Sequence, residues 1–242
     1  LPLGDAQISS FKVKTPGNDT LLLGLSNGTA IAASTTFKVK FDEKGQRLGV
    51  EPSVTQLFSG KAIQLDPQQR ALNYITEQES PDGKLLAALV DDGQVAMTLL
   101  RKKTNFITGE VQESLEPISF PSNTLYERLL IAPDHHYTFA LRASGRLDVY
   151  DTRSLSNIQL MHTLALVEPG QRVTQMVFQL AQQSLLVGDS QGRITQFFMV
   201  RDEHNEQQLT KIRTLKLGDA PIKILEAEQR RKGFVAIDNA GR

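Results

Sequence analysis

The chain has 242 residues, 40% hydrophobic and 6% aromatic, with no tryptophan, no cysteine and 27 basic against 27 acidic side chains. The charge balance leaves no overall field to gather nucleic acid or an anionic membrane surface, and the missing thiols exclude disulfides, cysteine nucleophiles and Cys-ligated zinc. No run approaches the roughly 20 apolar residues that span a bilayer, and the opening LPLGDAQ lacks the basic and apolar regions of a signal peptide, so the chain reads as cytosolic or as a soluble piece of a larger protein.

In chain order, strands are expected first at Ile8–Lys14, Leu21–Leu25 and Thr29–Phe41. In the third, Phe37, Val39 and Phe41 alternate with Lys38, Lys40 and Asp42, a period of two with one wet face. The polar segment from Asp42 to Gly60 reads as an insertion loop. A second group follows at Leu72–Thr76, Lys84–Val90, Gln94–Arg101 and Val111–Phe120, with a Pro81-Asp82-Gly83 turn and a near-continuous apolar run from Leu85 to Val90 that suits a strand buried on both faces. The third group is Arg128–Ala132, Tyr137–Arg142, Arg146–Asp151 and Ile158–Leu166. The fourth is Val173–Leu180, Ser184–Gly188, Arg193–Val200 and Leu209–Leu217. Ile222–Ala227 and Gly233–Ile237 begin a fifth.

One pattern links the groups: an apolar run, a polar turn ending in glycine, and a second apolar run. It recurs at Gly28, Gly93, Gly145, Gly192 and Gly241, spaced by 65, 52, 47 and 49 residues. A tight hairpin needs positive φ, which glycine supplies at low cost, so these five are structural turn residues between the second and third strand of each unit. Strands on both sides of a repeat near 40–50 residues predict propeller blades. The expected fold is all-β, a single partial WD40-like β-propeller over 1–242. Its blades fall at about 1–65, 66–121, 122–167, 168–218 and an incomplete 219–242. Four and a half blades do not close a ring of about 4–8, so the chain reads as part of a longer propeller.

No catalytic constellation stands out. Adjacent His135 and His136, read as a polar turn before the strand Tyr137–Arg142, should point to opposite sides of a strand or turn and so not share a metal; His162 and His204 lie apart. The innermost strands, read as Ile8–Phe11, Arg128–Ile131, Val173–Met176 and Ile222–Leu225, carry no acid, whereas an enzymatic propeller of lactonase type would need acids, imidazoles or a metal at the channel mouth. Asp92, Asp151, Asp189 and Asp238 are expected to cap turns through backbone amides. The clusters Arg101–Lys103 and Gln229–Lys232 read as solvated tips, with docking spots as the alternative. Val95–Leu100 and Phe197–Val200 are apolar enough for burial between blades or for a docking face. No catalytic residue, cofactor or metal is expected.

The string DHHYTFALRASGRLDVYDTRS, residues 134–154, resembles a WD40-type blade, with Tyr150-Asp151 where that family has Trp-Asp. The runs LLLGLSNGTA, LLVGDSQGRITQFFMVRDE and APIKILEAEQRRKGFVAIDNAGR resemble the large insert of the long-form gammaproteobacterial phosphate ABC-transporter permease subunit. That resemblance implies a non-catalytic interaction or structural module on the periplasmic face of the inner membrane. Its partners would be other transporter subunits or a periplasmic binding protein, with no nucleic acid, and with membrane contact only through segments outside this chain. An adaptor or scaffold propeller unrelated to transport is the alternative.

Overall fold

The structure is a computed structural model that describes residues 3–13, 20–105, 107–179, 184–228 and 230–242. Lys14, Leu180 and Gln229, which the sequence reading included in strands or clusters, lie outside the described residues. The chain forms two compact units, Leu1–Glu77 with Pro81–Ser122, and Gln78–Ser80 with Asn123–Arg242.

In the first unit, β1 (Ile8–Val13), β2 (Thr20–Leu25), β3 (Thr29–Phe41) and β4 (Arg47–Gln56) form an antiparallel meander, with the short β5 (Ile63–Gln64) also on β3. A second meander runs β6 (Leu72–Ser80), β7 (Gly83–Val90), β8 (Val95–Thr104) and β9 (Val111–Ile118). The sheets pack through Leu22, Ala30, Ala32, Leu72, Leu86, Ala88 and Leu100, all buried. Their first strands are tied directly, Ser9 Oγ donating to Leu72 O at 2.8 Å and Lys12 Nζ to Thr76 Oγ1 at 2.7 Å. Leu85–Val90 are all buried, and Leu86, Ala88 and Val90 make the face that packs on the first sheet. Met97–Leu100 are buried as well.

The expected insertion loop at Asp42–Gly60 is instead largely strand. Asp42 Oδ1 accepts the amides of Lys44 and Gln46 at 2.8 and 2.7 Å, Gly45 turns at φ +76°, and β4 returns along β3. A 3₁₀ turn at Phe58–Gly60 closes the segment. Gly49 and Pro52 masked the strand in the sequence; Pro52 is tolerated because β4 is an edge. The wet-face expectation for Phe37, Val39 and Phe41 also fails. The described pairing of β2 with β3 ends at Thr20–Ser34, so among the described residues only β4 lies beside residues 35–41, and the three side chains are 61%, 44% and 60% exposed. The opposite face carries a Lys40–Glu51 pair at 2.9 Å.

The second unit holds two four-stranded meanders and a two-stranded sheet. The first is β10 (Arg128–Ile131), β11 (Tyr137–Leu141), β12 (Arg146–Asp151) and β13 (Gln159–Ala165). The second is β14 (Val173–Phe178), β15 (Ser184–Asp189), β16 (Arg193–Arg201) and β17 (Gln207–Lys216), followed by β18 (Ile222–Ala227) paired with β19 (Phe234–Asp238). Phe139, Leu141, Leu147 and Val149 pack on Met176, Leu185, Val187 and Phe197; Leu186 and Ile194 pack on Ile222 and Leu225. First strands again lie side by side. Arg128 donates to Thr174 O at 2.6 Å, and Gln175 Nε2 to Lys223 O at 2.8 Å.

Candidate functional site

The turn glycines sit where the repeat put them. Gly28, Gly93, Gly145, Gly192 and Gly241 have φ of +75°, +85°, +77°, +70° and +80°. Val90 N bonds Gln94 O at 3.0 Å while Gly93 N bonds Val90 O at 2.7 Å, a three-residue loop whose last position is left-handed. The glycine carbonyls have a second task. Gly28 O accepts Leu65 N at 2.9 Å, Gly145 O accepts Leu166 N at 3.0 Å, and Gly192 O accepts Leu217 N at 2.9 Å, so each turn pins the chain as it leaves its sheet. A Cβ on Gly192 would stand 2.4 Å from Gly218 O.

The four hairpin acids cap backbone amides: Asp92 that of Gln94, Asp151 that of Arg153, Asp189 those of Gln191 and Arg193, Asp238 those of Ala240 and Arg242. All four also hold a guanidinium, Asp92 with Arg70 at 3.2 Å, Asp189 with Arg193 at 2.7 Å, Asp238 with Arg242 at 3.1 Å, and Asp151 with Arg153. The Arg153 side-chain hydrogen bond holds the Asp151 carboxyl below its usual range. The arginine following each glycine in Gly192-Arg193 and Gly241-Arg242 was the available signal for this pairing.

The basic clusters differ in their engagement. Arg101 pairs with Glu116 at 2.8 Å and Lys102 with Glu113 at 2.8 Å, so acids of β9 answer the first cluster. Arg230–Lys232 are exposed, with Arg231 only 4.0 Å from Glu228. The expectation that His135 and His136 point apart is wrong. His135 is left-handed at φ +57° in the Pro133–His135 turn, outside any strand, and the two rings meet edge to face with centroids 5.0 Å apart. Among the described residues, no group of three or more His, Asp or Glu side chains is placed to hold a metal. The acid-free reading of the inner strands also needs correction. β6 runs on to Ser80, taking in Glu77 and Glu79, and Glu226 lies on β18. Glu77 is nearly buried and meets Lys84 at 3.3 Å.

The sequence reading missed two features. Asp148 on β12 is fully buried and accepts from Arg142 Nε at 2.9 Å, Tyr126 Oη at 2.8 Å and Thr163 Oγ1 at 2.6 Å; Tyr126 Oη also lies 2.7 Å from Tyr150 Oη. This is a closed structural network. The second feature is a cavity of about 330 Å³ between the sheets β10–β13 and β14–β17. Phe139, Phe178, Leu185, Phe198, Met199 and Leu209 form its apolar lining; Asp134, His136, Tyr137 and Gln207 supply polar groups. Asp134 Oδ1 accepts the His136 amide at 3.1 Å and Oδ2 lies 3.4 Å from His136 Nδ1. Burial raises the Tyr137 phenol above its ordinary pKa. Leu209 is positioned by its amide donating to His162 Nε2 at 3.2 Å, and burial holds that imidazole below the usual histidine range. Phe198 and Met199 come from the apolar run Phe197–Val200, and they are half-buried where Phe197 is buried.

No protein-family model and no curated protein matches the chain. Among solved structures, Sqt1 from Chaetomium thermophilum aligns over 96% of this chain and 53% of its own, at 18% identity and a TM-score of 0.55. The same protein bound to the N-terminus of ribosomal protein L10 aligns at 16% identity and a TM-score of 0.52, over 96% and 56%. A Bacteroides fragilis protein described as a candidate 6-phosphogluconolactonase aligns over 96% and 58%, at 14% identity and a TM-score of 0.50. The chain is a β-propeller. It spans a little over half the length of these propellers, and at such identities the likeness speaks to fold alone.

Proposed function

We propose that this propeller is a non-catalytic interaction module, the periplasmic domain of a phosphate ABC-transporter permease at the bacterial inner membrane. The observation that carries the interaction reading is the apolar cavity opening between two blades. Among the described lining residues there is no Ser, Thr, Cys or Lys, so a covalent route through one of those side chains has no nucleophile here. A concave apolar site with few polar groups suits holding a ligand or side chain. The non-enzymatic reading draws further support from the way the acids are used. Asp148, Asp189 and Asp238 are consumed by arginines and backbone amides, and Glu77 by Lys84.

The transporter part of the proposal rests on the resemblance carried by residues 21–30, 185–203 and 220–242. In that setting the partner is the periplasmic phosphate-binding protein or another transporter subunit. Sqt1, similar in fold, has been captured with the N-terminus of a ribosomal protein, so the fold lends itself to holding a polypeptide segment. The test is retention of purified phosphate-binding protein on the immobilised chain. Saturable retention supports the proposal; no association at concentrations well above micromolar removes that partner. Hydrolysis of a sugar lactone by the chain would overturn the non-catalytic reading.

A further inference from the structure

At about 330 Å³ the cavity lies near the lower bound of ligand sites, enough for one or two side chains and small for a nucleotide or extended cofactor. Phe139, Phe178, Met199 and Leu209 are among the lining residues, so an apolar group of an occupant has aromatic and aliphatic surface to pack on. The charge is one-sided. Asp134 is the one carboxylate among the described lining residues, and none of these is Lys or Arg. Residues 180–183, outside the described ones, are Leu, Ala, Gln and Gln and add no charge wherever they lie.

Nearby guanidiniums are already engaged. Arg153 is held by Asp151, and Arg201 donates to the Asn205 side chain at 2.8 Å. The β16–β17 turn that delivers Gln207 to the cavity adds Asp202, Glu203 and Glu206. Asp134 itself keeps 44% of its side chain exposed, so an incoming cation can reach it.

We infer that this cavity holds a large apolar or aromatic side chain of a partner polypeptide, with an adjacent Lys or Arg of the same segment set against Asp134. The inference rests on the interaction-module reading and names the chemistry of the partner segment. The apolar anchor supplies most of the binding, and the charge pair sets register and selects against acidic segments.

The test uses a phage-displayed library of random dodecapeptides panned on the full chain, followed by titration of synthetic versions of the recovered sequences. Recovered peptides should share an aromatic or long aliphatic residue within two positions of a Lys or Arg. Asp134→Asn, which preserves the oxygen that caps the turn, should weaken them roughly threefold, the scale of a partly exposed ion pair. Gln207→Lys should weaken them similarly and Gln207→Glu should strengthen them, while Met199→Arg should abolish binding by filling the cavity. Gln207 is only half-buried, so the opposite signs of its two variants stand even if Met199→Arg fails to fold. Failure to enrich any peptide, enrichment of acidic peptides, or affinities indifferent to Asp134 and Gln207 would each overturn the inference. So would binding of phenethylammonium by a cavity that retains no peptide. None of these readouts involves the phosphate-binding protein, so this inference and the transporter reading fail separately.

Discussion

Asp148 offers the sharpest energetic test. Its carboxylate is fully buried and faces only donors: the Arg142 guanidinium through both Nε and a terminal nitrogen, the Tyr126 hydroxyl and the Thr163 hydroxyl. Asp148→Asn keeps the shape but removes the charge and turns one acceptor into a donor aimed at donors. Breaking a buried pair from one side costs about 3–5 kcal/mol. Arg142 keeps a third of its side chain exposed and Tyr126 retains the Tyr150 hydroxyl, so the lower half of that range applies, about 3–4 kcal/mol. For a chain of this size that is a fall of about 10 °C in Tm. Guanidinium and thermal unfolding of Asp148→Asn, beside the half-buried turn cap Asp202→Asn as control, read the difference. Replacing both partners, Asp148→Leu with Arg142→Met, should recover part of the loss, because no charge is then stranded. A cost below about 1 kcal/mol for Asp148→Asn would refute the idea that this network organises its blade.

The turn glycines separate backbone strain from crowding. Gly241→Ala has open space and should cost about 1–2 kcal/mol for its left-handed φ, whereas Gly192→Ala meets Gly218 O and should cost clearly more in the same urea titration. His162 predicts a pH dependence. Its native pKa is depressed by burial, so the unfolded chain binds the proton first, and stability is full above the ordinary histidine value near about 6.5 and falls as pH drops below it. Denaturant midpoints between neutral and mildly acidic pH should show that loss, and His162→Gln should flatten it. On the exposed ribbon, Phe37→Ser should change stability by no more than about 0.5 kcal/mol, while Leu86→Ala in the core should cost about 2–5 kcal/mol.

The turns and inner strands were legible because their chemistry is local. A left-handed turn position admits little besides glycine, and Arg146–Asp151 and Ile222–Ala227 match the observed strands end to end. β4 was hidden because an edge strand can carry Gly49, Pro52 and charged residues that a central strand would reject. Alternation in Phe37–Phe41 showed two faces but not that Phe37, Val39 and Phe41 would all be exposed, since cover depends on which other strands lie alongside. The polar turn before Tyr137–Arg142 was legible, but opposed side chains were not to be expected there, because His135 at φ +57° brings its ring onto that of His136. Asp148 looked like any acid in an alternating run; only burial of both faces of β12 makes it a partnered charge. The cavity draws its lining from residues 132 to 209, a span no short motif marks.

The transporter reading is tested most directly by amide hydrogen exchange of the chain with and without the periplasmic phosphate-binding protein. Slowed exchange confined to the turns around the cavity, residues 132–136 and 201–207, with the core strands unchanged, is the predicted result. Uniform exchange at every site, with the binding protein present well above micromolar concentration, would contradict it.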